Sequence, residues 1–364
     1  MAIVERLEAI PFRIPLRERI AFATGSLDAA EHVLLRLTDS DGVTGIAEAI
    51  PRPMIHGETL RGALSVITRD LAPLVIGRRV DSAAAVHRML SGLDGNLTAK
   101  AAVELALADL RGRALGVSCH RLLGGYTDRV RVSAILGYGP PMATVAEARR
   151  YFATHGIDAF KIKVGMDVDR DVAACRAVRD AFHGAWIYVD ANHAYRAADA
   201  AHFLSATREL GLAWFEEPTD GPLPRTRLNT DGRAQIVADE SAATLAAVGC
   251  EVLDGRANGI SLKVSRMGYV AADQARAFCE ATGTAMLLGS QGDSSIGALA
   301  ALSFAAAHRS TSRYPCEHSY FLKLGADLLA DPPTITDGYL SVPGAPGIGA
   351  VLDENALRAL RIDR

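Results

Sequence analysis

Five short apolar runs follow one another through the middle of the chain: AFKIKV at residues 159–164, WIYVD at 186–190, AWFE at 213–216, QIVAD at 235–239 and GISLK at 259–263. Each run is rich in β-branched or aromatic residues and is followed by turn-forming or polar residues, which is typical of a buried strand. Each run also carries a Lys, Asp or Glu at or next to its end. These charged positions are 23 to 27 residues apart, which leaves room for one helix and two loops between consecutive strands.

Further runs at residues 131–136 and 285–288, and a weaker one at 313–317, extend the series to eight. Thr144 and Glu147 have the spacing of a capping box, which predicts a helix start there. Four glycines mark predicted helix ends: Gly156, Gly184, Gly211 and Gly283. Strands that alternate with helices predict a parallel sheet covered by helices, and eight such strands can close into a (β/α)8 TIM barrel.

The five charged residues at the strand ends are Lys163, Asp190, Glu216, Asp239 and Lys263. In a TIM barrel the carboxyl ends of the strands form the active site, so these residues are expected to meet there. The two lysines end the second and sixth strands and therefore face each other. One such residue alone often serves only as a loop anchor or helix cap, but five in succession favour a functional site. Three neighbouring carboxylates would repel one another without a cation, and hard oxygen ligands favour Mg2+ or Mn2+.

The chain resembles a known family, the muconate-lactonizing-enzyme (muconate cycloisomerase) subgroup of the enolase superfamily. Five motifs carry this resemblance, in the family's order and spacing: KIK at residues 161–163, VDAN at 189–192, FEEP at 215–218, ADES at 238–241 and SLK at 261–263.

The resemblance implies a modified TIM barrel with an α+β capping domain. The capping domain would comprise residues 1–125, with the C-terminal segment 322–364 returning to it, and the barrel would comprise residues 126–321. The N-terminal sequence agrees with this division, because its patterns predict antiparallel strands and then helices. The predicted elements are strands at residues 3–15, 31–38 and 43–49 and a helix at 98–115.

The resemblance also implies a proton-transfer chemistry. Asp190, Glu216 and Asp239 would hold the divalent metal, which binds a carboxylate of a small substrate and stabilises the enolate that forms beside it. Lys163 and Lys263 would supply or remove the proton from opposite faces of that carbon.

Other residues near the strand ends are expected to support these groups. Lys161 is two residues before Lys163 and points the same way, so its ammonium is predicted to make Lys163 a better base. Asn192 and Glu240 are expected to orient Lys263 and the metal ligands. His193, at the barrel mouth, is interpreted as a loop residue or a supporting group rather than a ligand.

Two loops of the capping domain, residues 20–26 and 53–59, are expected to close over the barrel mouth as lids. Both mix glycine with apolar side chains, which suits a partly apolar ligand. These loops and the last two barrel strands supply the predicted substrate contacts: Ile20, Gly25, Ile55, His56, Ser290, Glu317, Ser319 and Phe321.

Muconate cycloisomerase is the predicted reaction among those that share this scaffold. The seventh strand ends LLGS at residues 287–290, without the His that mandelate-racemase-type dehydratases require. The eighth strand has Glu317 and Ser319 where dipeptide epimerases usually show an Asp-x-Asp motif. N-succinylamino-acid racemase, o-succinylbenzoate synthase and dipeptide epimerase remain alternatives. A non-enzymatic metal-binding protein would be free to lose a lysine or carboxylate, and none is missing.

Composition limits the other classes of function. The chain has 364 residues, 49% of them hydrophobic, so it can bury a large core. A formal net charge of −3 without a basic stripe predicts no nucleic-acid partner. Five scattered cysteines without a C-x-x-C pair favour a reducing cytoplasm. Charged residues within positions 1–6 predict that no signal peptide is present, and no apolar run approaches the length of a membrane span. The resemblance further implies a homo-oligomer that acts in aromatic catabolism.

Overall fold

The N-terminal part of the computed structural model is a three-stranded antiparallel sheet, and the described residues are 2–23, 25–79, 81–221, 225–226, 228 and 234–363. The strands pair in the order β1 (Val4–Phe22), β2 (Gly25–Asp39) and β3 (Thr44–Ala49). β1 and β2 are longer than predicted, because the first lid loop continues their hairpin and pairs Phe22 with Gly25. Thr24, within that lid, lies outside the described residues.

Helices follow this sheet, and one of them is buried almost all round. The helices are α1 (Pro53–His56), α2 (Leu60–Val66), which continues through a π-helical turn (Ile67–Leu71) into α3 (Ala72–Val75), then α4 (Ala83–Leu90), α5 (Leu97–Leu115) and α6 (Cys119–Leu123). α5 is alanine-rich and packs between β3 and the barrel. Gly45 permits this approach, because a Cβ there would overlap the backbone of Ala106 and Leu110.

The rest of the chain alternates strands and helices. Its elements are β4 (Arg129–Arg131), β5 (Ala134–Leu136), α7 (Pro141–His155), β6 (Ala159–Lys163), α8 (Val168–Ala181), β7 (Trp186–Asp190), α9 (Ala197–Ala206), β8 (Trp214–Glu216), β9 (Gln235–Ala238), α10 (Leu245–Leu253), β10 (Gly259–Leu262), α11 (Val264–Thr282), β11 (Ala285–Leu288) and α12 (Ser295–Ala305). Single 3-10 turns occur at Arg208–Leu210, Glu240–Ala242 and Tyr320–Lys323. β5 to β11 form one parallel sheet in sequential order.

The eighth run closes this sheet without forming a regular strand. Cys316 N donates to Arg131 O at 2.9 Å, and Ser133 N donates to Cys316 O at 2.8 Å. On the other side, Glu317 N donates to Leu288 O at 2.9 Å. Residues 316–317 therefore join β11 to the chain before β5, and the curled sheet becomes a modified barrel.

The C-terminal segment contacts both parts of the molecule. It contains β12 (Ile335–Thr336), β13 (Tyr339–Ser341) and α13 (Glu354–Leu360), and β13 pairs with β4. Its end reaches the N-terminal sheet, where Ile362 N donates to Pro11 O at 3.0 Å. We propose domain boundaries at residues 125 and 322 because the sheet pairing changes near these positions.

The predicted capping box is wrong. α7 begins at Pro141, a residue whose fixed φ suits the first helical position. Thr144 therefore lies inside the helix and its hydroxyl donates to Pro140 O at 3.3 Å. Glu147 instead accepts a hydrogen bond from Lys323 Nζ at 2.6 Å.

Three of the four predicted glycine helix ends are confirmed. Gly156, Gly211 and Gly283 have φ of 68°, 62° and 70° and follow the last residues of their helices. Gly184 is not a helix end, because α8 already ends at Ala181. No helix in the described part of the chain has both the length and the apolarity to cross a membrane.

Candidate active site

The predicted residues at the strand ends surround a cavity of about 90 Å3 at the carboxyl edge of the barrel sheet. Lys163, Lys263, Asp190 and Asp239 line it, and Glu216 is fully buried beside them. β6 and β10 occupy the second and sixth positions of the ring, so the two lysines lie on opposite sides. The structure therefore brings together all five residues that the strand pattern singled out.

Lys163 is held by the third strand and its loop. Its Nζ donates to Asp190 Oδ2 at 2.6 Å and to Asn192 Oδ1 at 2.8 Å. Asn192 has a φ of 43° in the left-handed region, and its Nδ2 donates to Glu240 Oε1 at 2.8 Å. Asn192 thus links Lys163 to the loop after the fifth strand. Burial raises the pKa of Glu240 to about 7, with Asp239 and other carboxylates adding to the effect.

Lys263 is paired with Asp239, and a buried arginine stands behind them. Lys263 Nζ donates to Asp239 Oδ2. Arg266 Nη1 lies 2.9 Å from Asp239 Oδ1, and its Nη2 donates to Asp239 O at 2.6 Å. Burial alone would raise the pKa of Asp239, but Lys263 and Arg266 hold it well below its usual range. The sequence analysis missed Arg266, which lies in the first turn of α11, three residues after Lys263, the residue that precedes this helix.

Lys161 lies deeper in the barrel and is shared by three carboxylates. Its Nζ is 2.7 Å from Glu216 Oε1, 2.9 Å from Glu317 Oε1 and 3.0 Å from Asp190 Oδ2. Burial alone would lower the pKa of Lys161, but these carboxylates raise it well above its usual value. The predicted effect of Lys161 on the basicity of Lys163 stays a prediction, and the geometry gives Lys161 a second task, the neutralisation of buried acids.

The carboxylates Asp190, Glu216 and Asp239 fit a divalent cation. Glu216 Oε2 is buried and accepts no hydrogen bond from any described residue. Burial raises the pKa of Glu216 well above its usual value, and Asp190, Glu317 and Asp239 add to this effect although Lys161 opposes it. An additional positive charge at this point would relieve the crowding, and hard oxygen donors are the ligands that Mg2+ and Mn2+ prefer.

A second group of possible ligands, His193, Glu217 and Glu240, has atoms within 4.8 Å of one another. Both oxygens of Glu217 are already used: Oε1 accepts from Ser241 N at 2.8 Å, and Oε2 accepts from Arg225 and from Ser241 Oγ at 3.1 Å. Glu217 therefore holds the loop after β9, and His193 pairs with it at 3.3 Å. The group is better described as an ion-pair cluster than as a metal centre.

Four of the eight predicted substrate contacts line the cavity: Ile20, Ile55, Ser290 and Glu317. Glu317 accepts hydrogen bonds from three protein donors. Its Oε1 accepts from Lys161 and from Tyr188 OH, each at 2.9 Å, and its Oε2 accepts from Ser290 N at 3.1 Å.

The other four predicted contacts, Gly25, His56, Ser319 and Phe321, are not part of the cavity lining. His56 Nε2 lies 2.9 Å from the side chain of Gln291, which does line it. Ser319 Oγ donates to the backbone rather than toward the cavity, and Phe321 borders a separate cavity of about 890 Å3 beside α7. A role for these four residues in substrate binding stays a prediction.

Several lining residues were not found in the sequence analysis. They are Phe22, Leu27, Arg52, Ile135, Gln291, Gly292 and Tyr320. No motif marks the apolar ones. Arg52 lies between β3 and the second lid, and a charged residue among Ile50, Pro51 and Pro53 was the available signal.

Comparisons with known proteins cover nearly the whole chain. Residues 7–124 match the family described as mandelate racemase / muconate lactonizing enzyme, N-terminal domain, and residues 143–356 match the family described as enolase C-terminal domain-like. An L-Ala-D/L-Glu epimerase of Bacillus subtilis is 30% identical over 95% of this chain and 96% of its own length. A chloromuconate cycloisomerase of Cupriavidus pinatubonensis is also 30% identical, over 98% of each chain. A crystal structure of a muconate lactonizing enzyme from Mycobacterium smegmatis, in complex with muconolactone, matches with a TM-score of 0.97 and 40% identity over 100% of both chains.

Proposed function

The chain belongs to the mandelate racemase / muconate lactonizing enzyme family of the enolase superfamily, and on that premise we propose that it is a muconate cycloisomerase. The family match confirms the resemblance in the sequence and the modified TIM barrel with a capping domain. The chain is therefore an isomerase of that superfamily. The specific reaction proposed is the interconversion of cis,cis-muconate and muconolactone.

The state of Glu317 is the observation that carries this choice of substrate. An epimerase that acts on a free dipeptide needs an acceptor for the ammonium group of its substrate. Glu317 occupies the eighth-strand position where such an acceptor is expected, but Lys161, Tyr188 and Ser290 already use its oxygens. Three of the about four acceptor sites of this fully buried carboxylate are therefore taken, and the remaining one on Oε2 is a weak anchor for an ammonium.

The cavity also favours a small acidic substrate. Its volume of about 90 Å3 is well below the 300–1,000 Å3 typical of sites for drug-sized ligands. Its lining includes the cations Arg52, Lys163 and Lys263 beside the carboxylates that would hold the metal, and its apolar side chains suit the carbon chain of a diene. A short, flat dicarboxylate matches both properties better than a dipeptide or an N-succinylamino acid does.

Members of the superfamily use a divalent metal ion, and we assign Asp190, Glu216 and Asp239 to hold it here, as Mg2+ or Mn2+. When bound, that ion would supply electrostatic stabilisation for charge that develops on a substrate carboxylate. Lys163 and Lys263 lie on opposite sides of the same space, so each is placed to deliver a proton to one face of the neighbouring carbon. Asn192 accepts a hydrogen bond from Lys163 itself, and Arg266 holds Asp239, the partner of Lys263.

A dipeptide epimerase is the second candidate, because a curated epimerase is as similar to this chain as a curated cycloisomerase is. The test is to incubate the purified enzyme with Mg2+ and either cis,cis-muconate or L-Ala-L-Glu. Loss of the diene absorbance with muconate and no change in optical rotation with the dipeptide is the expected result. Epimerisation of the dipeptide without turnover of muconate would reverse the assignment.

The proposal includes the setting of the reaction. We propose that the enzyme acts in the cytoplasm as a homo-oligomer, in the breakdown of aromatic compounds, on a small-molecule carboxylate and without a nucleic-acid or membrane partner. All five cysteines have free thiols, which is compatible with a reducing compartment.

A further inference from the structure

Arg52 is a buried cation that forms no ion pair with a described residue, although Asp293 and Glu48 act on its charge from a greater distance. Its residue is only 8% exposed, and no carboxylate of the described residues forms an ion pair with it. Arginine is rarely buried to this degree without a paired anion, because the loss of hydration is costly. The other buried cations of the site, Lys161 and Lys263, each pair with at least one carboxylate.

The groups that hold Arg52 are neutral. Its Nε donates to Gln291 O at 2.8 Å and its Nη2 to Gly292 O at 3.5 Å. Nη2 also lies 3.4 Å from His32 Nε2, and His32 is itself bonded to Glu48. Burial lowers the pKa of His32, although Glu48 opposes this effect, and the lowered pKa favours the neutral ring.

The position of the guanidinium is built into the surrounding loop. Gly292 has a φ of 87°, and a Cβ on this residue would overlap Arg52 Nη2. The loop after β11 thus provides both the space and two carbonyl acceptors. The third nitrogen of the guanidinium, Arg52 Nη1, has no hydrogen-bond acceptor among the described residues.

Arg52 borders the same cavity as Lys163 and Lys263, but it belongs to the capping side, whereas the three metal-site carboxylates belong to the barrel strands. If one end of a dicarboxylate substrate were bound at the metal that Asp190, Glu216 and Asp239 would hold, its second carboxylate would remain free. We propose that Arg52 binds this second carboxylate and thereby selects a dicarboxylate substrate. The inference deepens the proposed function and rests on it for the identity of the substrate, but the pairing of Arg52 with an anion is testable without turnover.

The test compares two saturated six-carbon acids that differ only in the second carboxylate, adipate and hexanoate. Each is titrated into the Mg2+-loaded enzyme by calorimetry, with the wild type and with the variants Arg52→Met and Arg52→Lys. Arg196→Met is the matched control, since Arg196 is 85% exposed and lies outside the cavity. A hydrogen bond to a charged group corresponds to a factor of roughly 10 to 100 in affinity.

We expect the wild type and Arg196→Met to bind adipate at least about 10-fold more tightly than hexanoate. In Arg52→Met this ratio should fall to near one while the affinity for hexanoate is unchanged. Arg52→Lys keeps the charge but loses the planar donor fork, so it should show an intermediate ratio. The proposal would be overturned if the ratio of adipate to hexanoate affinity were unchanged in both variants, even if both ligands bound more weakly. It would also be overturned if the wild type showed no preference for adipate.

This experiment separates the two proposals. If cis,cis-muconate is not turned over but the adipate preference depends on Arg52, then the role of Arg52 stands and muconate is the wrong substrate. If muconate is turned over and Arg52→Met keeps the adipate preference, the role of Arg52 is wrong and the proposed function stands.

Discussion

Substitution of Gly289 by alanine should disable the enzyme while leaving its fold intact. Gly289 follows β11, and its N donates to Leu262 O at 2.9 Å. A Cβ at this position would lie 2.6 Å from Lys263 Cε and 3.2 Å from Lys263 Cγ, and it would also overlap Ser261 Oγ. The closest carbon is the far end of a flexible side chain, so Lys263 can move aside.

The size of the effect follows from these distances. Carbon atoms normally approach to about 3.5–4.0 Å, so the end of Lys263 must move by roughly 1 Å. A displacement of this size at a reacting group can reduce the rate about 100-fold, which corresponds to about 2.7 kcal/mol in the activation free energy. Strained side-chain torsions in Lys263 and Ser261 together cost the fold about 1–3 kcal/mol.

The assay is the steady-state rate of muconate consumption, measured together with urea denaturation. Gly249→Ala is the control, because Gly249 lies in α10 and a Cβ there meets no atom within 4 Å. We expect this control to keep full activity and to gain up to about 1 kcal/mol of stability from the better helix former. A Gly289→Ala enzyme that works at the wild-type rate would refute the assigned place of Lys263 in the reaction.

Three further predictions concern the stability of the site. Addition of Mg2+ at 100 times its dissociation constant should stabilise the wild type by about 2.7 kcal/mol and raise its Tm, and Asp239→Asn should lose this response. An equal Mg2+ response in that variant would contradict the assigned ligand. Lys161→Met should lower the metal-free unfolding free energy by about 3 kcal/mol in urea denaturation, because buried carboxylates lose their shared cation. If the Lys161→Met variant were as stable as the wild type, these acids would have to be protonated in the folded enzyme. Burial lowers the pKa of His56 to about 4 from an ordinary 6.5, so its contribution to stability is present above pH 6.5 and is lost as the pH falls through 4. His56→Gln should therefore flatten the profile of Tm against pH in this window, and an unchanged slope would exclude His56 as its source.

The strand-and-helix order of the barrel was predictable because its signals are local. The runs at residues 186–190 and 285–288 match β7 and β11 residue for residue. Their β-branched and aromatic composition and their turn-rich flanks are properties of short segments, and the period of one strand and one helix repeats. The five charged residues at the strand ends could be predicted for the same reason, since the barrel geometry brings strand ends together.

The parts that the sequence did not disclose depend on contacts between distant segments. The eighth run was predicted at residues 313–317, but residues 316–317 close the barrel through single backbone hydrogen bonds instead of a regular strand, which no side-chain pattern reports. The failure at Thr144 has a similar cause, because Glu147 is drawn to Lys323 instead of to the helix start. Arg52 and Arg266 were missed because both are recognised by their burial and their partners, which only the folded structure defines. Arg266 is paired with Asp239, whereas Arg52 has no ion pair among the described residues.

The central claim is that two opposed lysines carry out proton transfer beside a metal-bound carboxylate. It is tested most directly by incubating the wild type, Lys163→Met and Lys263→Met with Mg2+ and cis,cis-muconate in D2O and following the product by proton NMR. The account predicts that the wild type incorporates one deuteron, in a single configuration, at the carbon next to the free carboxylate, and that replacing the lysine on that face slows product formation by at least about 100-fold. Product without deuterium at that carbon, or full activity in both lysine variants, would contradict it.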